Sequence, residues 1–297
     1  MSTRASDLLL TAIAPAIWGS TYIVTTEFLP DLAPLTVAML RALPAGLLLL
    51  LFVRQLPTGI WWLRVFVLGA LNFSIFWSML FISAYRLPGG VAATVGAIQP
   101  LIVVLLAFFL LGSTIRPMSV LAALVGVGGV ALLVLTPDAA LNSLGVAAGL
   151  AGAFSMALGT VLSRKWQPPV SLLTFTAWQL TAGGLLLIPL ALVIETPVRL
   201  PTGVNLLGLL WLGLVGAALT YLVWFRGLAR LDTAVVASLG LLSPMTAVLL
   251  GWVFLNQTLT SPQIVGVTLV IGSIWLSQQA NRSSRPLFRN GAKPSTS

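Results

Sequence analysis

The chain has 297 residues, of which 58% are apolar and only 7% charged. A soluble domain carries about 25% charged residues, so a soluble enzyme and a disordered chain are both excluded. A mean hydropathy of +1.05 makes lipid the solvent for most of the molecule. There is no cysteine and no histidine. That removes disulfides, thiolate nucleophiles, the commonest metal ligand and the usual general base. No metal and no cofactor are expected.

A membrane helix needs about 20 mostly apolar residues. Ten such stretches succeed one another at about 8–26, 33–53, 64–84, 90–111, 117–135, 144–163, 172–194, 204–224, 234–254 and 262–279. Nine are free of charge, and the second contains Arg41. The connections are short, as at 112–116 and 137–142, and leave no room for an extramembrane domain. The first stretch is not read as a signal peptide, because no small-residue cleavage site leads into a soluble chain. The tail from Gln278 holds Arg282, Arg285, Arg289 and Lys293 and reads as a disordered cytoplasmic end.

With the N-terminus inside, the inner segments carry 12 of the 15 basic residues, from Arg4 and Arg54 to the tail. Only Arg86 and Arg199 fall outside, together with four of the six acids, Glu27, Asp31, Asp138 and Glu195. This is the positive-inside pattern of short loops. It places both termini in the cytoplasm and makes the net charge of +9 a topology signal that also attracts anionic lipid. Nucleic acid is not an expected partner. Trp61, Trp62 and Trp166 beside the loops read as interfacial anchors, and so does Trp224 near the inner end.

The chain repeats itself. A shift of 144 residues puts Arg86-Leu87 on Arg230-Leu231, Gly96 on Gly240, Pro100 on Pro244 and Gly128 on Gly272. A shift of 138 puts Leu35-Thr36 on Leu173-Thr174 and 46–49 on 184–187. Each half then has five spans, and an odd number inserts the second half upside down. The expected units are residues 1–137, residues 138–280 and the basic tail 281–297. Inverted repeats exchange conformations around a midplane site, which is the mechanics of an alternating-access carrier.

The residues that repeat also carry a resemblance. Trp18-Gly19-Ser20, Arg41, Ala84-Tyr85-Arg86-Leu87 with Ala92-Ala93 and Gln99-Pro100, and their counterparts 227–231 with Ala237 and Ser243-Pro244, resemble the drug/metabolite transporter superfamily. The resemblance is to its ten-helix EamA branch, covers about residues 8–279, and is most like the YddG-type exporters of amino acids. It implies an all-α bundle of two inverted five-helix repeats that exports small metabolites by alternating access.

Polar groups in mid-span need a reason. Pro100 and Pro244 lie near the bilayer centre, where each would kink its helix and free the carbonyl of Gly96 or Gly240 as an acceptor. Each proline is a candidate hinge, and a packing kink satisfied by a neighbouring Ser or Thr is an equal alternative to the free acceptor. Gln99 and Ser243 precede the two prolines. Asn72, Phe76 and Met79 share a helical face. Trp18 needs a partner for its indole N–H. Ser155, Met156, Trp178 and Tyr221 complete the candidate cavity lining, with Gln179, Thr181 and Thr160 nearby. Arg41 is either a clamp for a substrate carboxylate or, the favoured reading, a structural cation bonded to helix carbonyls.

No span contains Asp, Glu, Lys or His, and no Walker pattern occurs. Transport is expected to run down the substrate gradient with weak pH dependence. An intramembrane enzyme would need a buried base, which is missing, and a channel would need a selectivity ring. The reading is a non-enzymatic secondary transporter, acting as a monomer in a bacterial-type inner membrane. Its substrate is an amino acid-like small molecule, with nucleosides, sugars and lipophilic cations as alternatives.

Overall fold

The computed structural model describes residues 3–86, 95–134, 142–195, 201–254 and 260–280. The expected unit boundary at 137/138 and the tail 281–297 lie outside them. Every regular element among the described residues is helical. The order is α1 (Thr3–Phe28), α2 (Pro34–Val53), α3 (Trp61–Gly69), a π segment (Ala70–Ser74), α4 (Ile75–Arg86), α5 (Gln99–Leu111), α6 (Pro117–Val134), α7 (Ser143–Lys165) and α8 (Leu172–Ile194). Then come α9 (Gly203–Leu210), a second π segment (Trp211–Leu219), α10 (Thr220–Arg230), α11 (Thr233–Leu239), α12 (Leu242–Phe254) and α13 (Ser261–Ala280). Among the described residues, seven helical stretches, Thr233–Phe254 with a break inside it, are long and apolar enough to cross a membrane, and Gln99–Leu111 and Pro117–Leu133 are shorter apolar helices.

Helices begin where polar side chains satisfy the free N–H groups of the first turn. Asn142 caps α7, Ser171 caps α8, and Asp232 caps α11. Thr202 and Asn205 form a reciprocal box at α9. The cap of α2 comes from far away: Glu195 accepts from the N–H groups of Leu35 (2.6 Å) and Thr36 (2.7 Å). A carboxylate at that positive end is well placed.

Helix packing repeats itself through the chain. α2 crosses α8, and α6 crosses α13. α4 packs on α7 as α10 packs on α1, and α5 packs on α7 as α12 packs on α1. Individual contacts obey the same exchange. A Cβ on Gly46 would stand 2.7 Å from Thr181 Oγ1, and one on Gly184 would stand 2.7 Å from the Cα of Leu43, 138 residues before Thr181. A Cβ on Gly149 would stand 2.9 Å from Ser83 Oγ; with the roles reversed, one on Gly227 would stand 3.0 Å from Thr11 Cβ. Small residues let backbones approach where lipid gives no hydrophobic push between helices.

The charges sort to the two ends. Asp7 pairs with Arg226 (2.7 Å) and Arg230 (3.3 Å), Arg164 reaches the carbonyls of Leu228 and Ala229, and Arg116 reaches that of Ala280. Glu195 and the start of α2 lie at the other end. Two tryptophans expected at the membrane interface are instead packed inside. Trp61 is buried against Phe175 and Trp178, and Trp224 is only 2% exposed against Trp18. Their neighbours offer more apolar surface than a headgroup layer does.

Candidate functional site

The polar interior is organised by the two π segments. A π turn breaks the i→i−4 ladder and turns carbonyls outward, which is why such turns recur at functional positions. In the second one, the Gly216 carbonyl accepts from three donors: Thr220 Oγ1 (2.9 Å), Arg41 Nη2 (3.0 Å) and Trp18 Nε1 (3.2 Å). Trp18 Nε1 also donates to Thr220 Oγ1 at 2.9 Å. In the first one, the Leu71 carbonyl accepts from Ser155 Oγ at 2.8 Å. The arrangement is the same in both halves: a side chain from the first helix of one half bonds the π carbonyl of the other.

The correspondence extends to α2 and α8. A shift of 144 places Asn72 where Gly216 stands, and a shift of 138 places Gln179 where Arg41 stands. Asn72 Nδ2 donates to Gln179 Oε1 at 2.8 Å and to Ser163 Oγ at 3.3 Å. One junction is thus guanidinium on carbonyl and its counterpart is amide on amide. Gly159 makes room for the amide, since a Cβ there would stand 2.7 Å from Asn72 Cγ.

Aromatic rings surround these junctions. Trp18 lies 5.0 Å from Tyr221 and 5.1 Å from Trp224, centroid to centroid. Tyr221 continues to Phe73 (4.6 Å) and Phe225 (5.8 Å), and Phe73 to Trp77 (5.3 Å). The Arg41 guanidinium carbon sits 4.6 Å from the Trp77 ring centroid. Arg41 is 9% exposed. It is held by a carbonyl and a π face, as a lipid-buried cation requires. Its Nε has no partner among the described residues.

The proline positions differ from expectation. The spans are cut rather than kinked. α11 ends at Leu239 and α12 starts at Leu242, with Gly240 N–H bonded to the Ala237 carbonyl and Leu241 N–H to that of Ser238. The Gly240 carbonyl, expected to be free, accepts from Ser243 N–H at 3.1 Å. Pro244 and Pro100 sit in the first turn of α12 and α5, where no N–H is needed. Among the described residues, nothing lies within 4 Å of a Cβ placed on Gly96.

The structure brings Trp18, Tyr221 and Arg41 together, and Asn72 with Ser155. Gly96, Gln99, Gly240 and Ser243 stand partly exposed at the helix breaks, as do Phe76 and Met79 on α4. Met156 is buried on α7. Trp178 is elsewhere: its Nε1 donates to the Gln55 carbonyl at 2.6 Å, beside Trp61. Gly216, Thr220, Phe73 and Trp77 were missing from the sequence-based site. The shift of 144 is the signal that finds three of them, since it pairs Gly216 with Asn72, Thr220 with Phe76 and Trp77 with Tyr221. Among the described residues, no group of three acidic, histidine or cysteine side chains could hold a metal ion.

A bundle of apolar helices cut around a buried polar and aromatic cluster is the build of a membrane transporter. The chain belongs to the EamA-like transporter family, whose model matches residues 6–135 and again 143–278. It is 46% identical to Protein PecM of Dickeya dadantii (strain 3937) over 283 residues, 95% of this chain and 94% of that one. It is 25% identical to the probable amino-acid metabolite efflux pump of Salmonella typhimurium (strain LT2), over 91% of this chain and 94% of that protein. A solved structure described only as a crystal structure of a protein superposes with a TM-score of 0.81 at 21% identity, covering 95% of this chain and 99% of that one. That likeness concerns the fold.

Proposed function

We propose that this multi-pass membrane protein is a secondary exporter of small metabolites, amino acids above all, working by alternating access. Its ten spans form two inverted repeats, residues 1–137 and 138–280, with both termini in the cytoplasm of a cell with a bacterial-type inner membrane. One observation carries the mechanism. Under the shift of 144, Pro100, Val103 and Val104 on α5 correspond to Pro244, Ala247 and Val248 on α12. The first three are buried and the second three are partly exposed. Two interchangeable halves held in unequal packing are what a carrier has when one side is shut and the other open. The shut side is the basic end, where all seven residues of α11 are buried.

The cluster around Trp18, Arg41 and Tyr221 then lies near the midplane, at the floor of the open side. Its rings suit the apolar body of an amphipathic solute, while amides and hydroxyls at the helix breaks suit its polar head. The amino-acid efflux pump among the relatives supports that choice of substrate. The test is counterflow in proteoliposomes against a panel of labelled amino acids, nucleosides, sugars and lipophilic cations. Saturable exchange of neutral amino acids is expected. Ohmic single-channel currents, or no flux of any solute, would sink the proposal.

A further inference from the structure

Arg164 lies in the last turn of α7 and is not part of the central cluster. Its Nη1 donates to the Leu228 carbonyl at 2.7 Å and also to that of Ala229, in the last turn of α10. Those carbonyls have no helical partner of their own, and they form the negative end of the helix. The bond therefore ties the end of α7 to the end of α10 across the basic end of the bundle.

Two cavities flank this tie. One, of about 130 Å³, is lined by Ser163, Phe175, Phe225 and Leu228; the other, of about 480 Å³, by Ser113, Lys165 and Asp232. Arg164 lines both. Phe175 and Phe225 in the wall of the first cavity lie 5.3 Å apart, and Phe225 packs in turn on Tyr221 of the central cluster at 5.8 Å.

The equivalent position of the other half carries no arginine. The shift of 138 puts Thr26 at the place of Arg164, and threonine has no guanidinium to reach two carbonyls. The latch residue is therefore not repeated in the other half.

We infer that Arg164 is the latch of the cytoplasmic gate, a positioning residue that holds the carrier shut on its basic side and open on the other. The inference rests on the alternating-access reading. Binding of solute from the basic side must compete with the Arg164 bonds, so the latch sets the population of the inward-open state. A charge-assisted bond is worth enough to move that equilibrium about tenfold.

The chain has no cysteine, so one engineered thiol is the only thiol. Leu228→Cys reports the inner cavity and Ser243→Cys reports the open side, each labelled in oriented vesicles with a membrane-impermeant maleimide. Adding Arg164→Ala or Arg164→Gln should speed labelling at position 228 about tenfold and slow it at position 243, while Arg164→Lys should fall between. Faster labelling at 228 with unchanged labelling at 243 would mean local loosening and would overturn the latch. So would unchanged labelling at both positions in a variant that retains the wild-type melting temperature. Labelling needs no substrate. If both thiols respond as expected and no solute moves in counterflow, the gate stands and the transport reading falls. If solute moves and the thiols do not respond, the reverse holds.

Discussion

The crossing of α2 and α8 offers a test of the packing that needs no knowledge of the substrate. Alanine at Gly46 would put a Cβ 2.7 Å from Thr181 Oγ1 and 2.8 Å from the Leu180 carbonyl carbon. Alanine at Gly184 would put one 2.7 Å from Cα of Leu43 and 2.8 Å from its N. Ordinary contacts begin near 3.5 Å, so each methyl demands a separation of roughly 0.7–0.8 Å, taken partly from backbone that cannot swing aside. Overpacking of that kind costs about 1–3 kcal/mol, against a helix-propensity gain of about 0.8–1 kcal/mol for replacing glycine. At Gly128 and Gly272 nothing lies within 4 Å of the new Cβ, so only the gain remains. Melting of the four variants in detergent should therefore split them: Gly46→Ala and Gly184→Ala below wild type, Gly128→Ala and Gly272→Ala at or above it. The double variant at 46 and 184 should lose less than the sum, because the first methyl has already parted the helices the second one strikes. A Gly46→Ala protein that melts like wild type, or strictly additive losses, would refute the reciprocal crossing.

Single contacts elsewhere carry their own expectations. Asn72→Ala should cost about 1–3 kcal/mol by orphaning Gln179 Oε1, and the Asn72→Leu/Gln179→Leu pair should cost less than the two singles together; thermal melts of the four proteins decide it. Glu195→Ala should lower stability by about 0.5–2 kcal/mol through loss of the α2 cap, read in the same melts. Pro244→Ala restores an N–H that can bond the Gly240 carbonyl, which should join α11 to α12 and slow counterflow; unchanged flux counts against the breaks as hinges. An imposed proton gradient should leave liposome flux unaltered, since Asp7, Glu27 and Lys165 sit at the ends of their helices and no acid, lysine or histidine lies in mid-span among the described residues; strong acceleration would show a proton relay.

The membrane class, the all-helical build and the family, whose model matches the chain twice, were legible because composition and periodicity survive every detail of packing. The mid-span prolines marked the right places and the wrong geometry. From sequence, a proline in an apolar run looks like a kink. Gly240 and Leu241 instead form a tight turn that ends one helix and starts another, and this engages the carbonyl the kink would have freed. The π segments had no signal in the hydropathy pattern, because Ala70–Ser74 and Trp211–Leu219 lie inside long apolar stretches whose periodicity they do not interrupt. Without them the Gly216 carbonyl is just another rung in a ladder, and Arg41 has no visible partner. Trp61 and Trp224 were misjudged for a related reason: distance along the chain from a loop says how deep a residue lies, not which face of its helix meets the bundle.

Arg41 marks the point where the two halves diverge most in chemistry at equivalent positions. Its counterpart Gln179 makes a neutral bond with Asn72, whereas Arg41 places a full charge on a carbonyl already bonded by Trp18 and Thr220. A carbonyl has two lone pairs, so the third donor is dispensable to it. Removing a lipid-buried cation also removes its desolvation penalty. Arg41→Met should therefore melt no lower than wild type, with methionine filling the slot against Trp77. The presence of the charge despite that balance is explained if the positive field at the midplane acts on the transported solute. Counterflow of the Arg41→Met protein separates the two roles: a stable variant with altered solute preference assigns the charge to selectivity, and a variant that unfolds returns it to the scaffold.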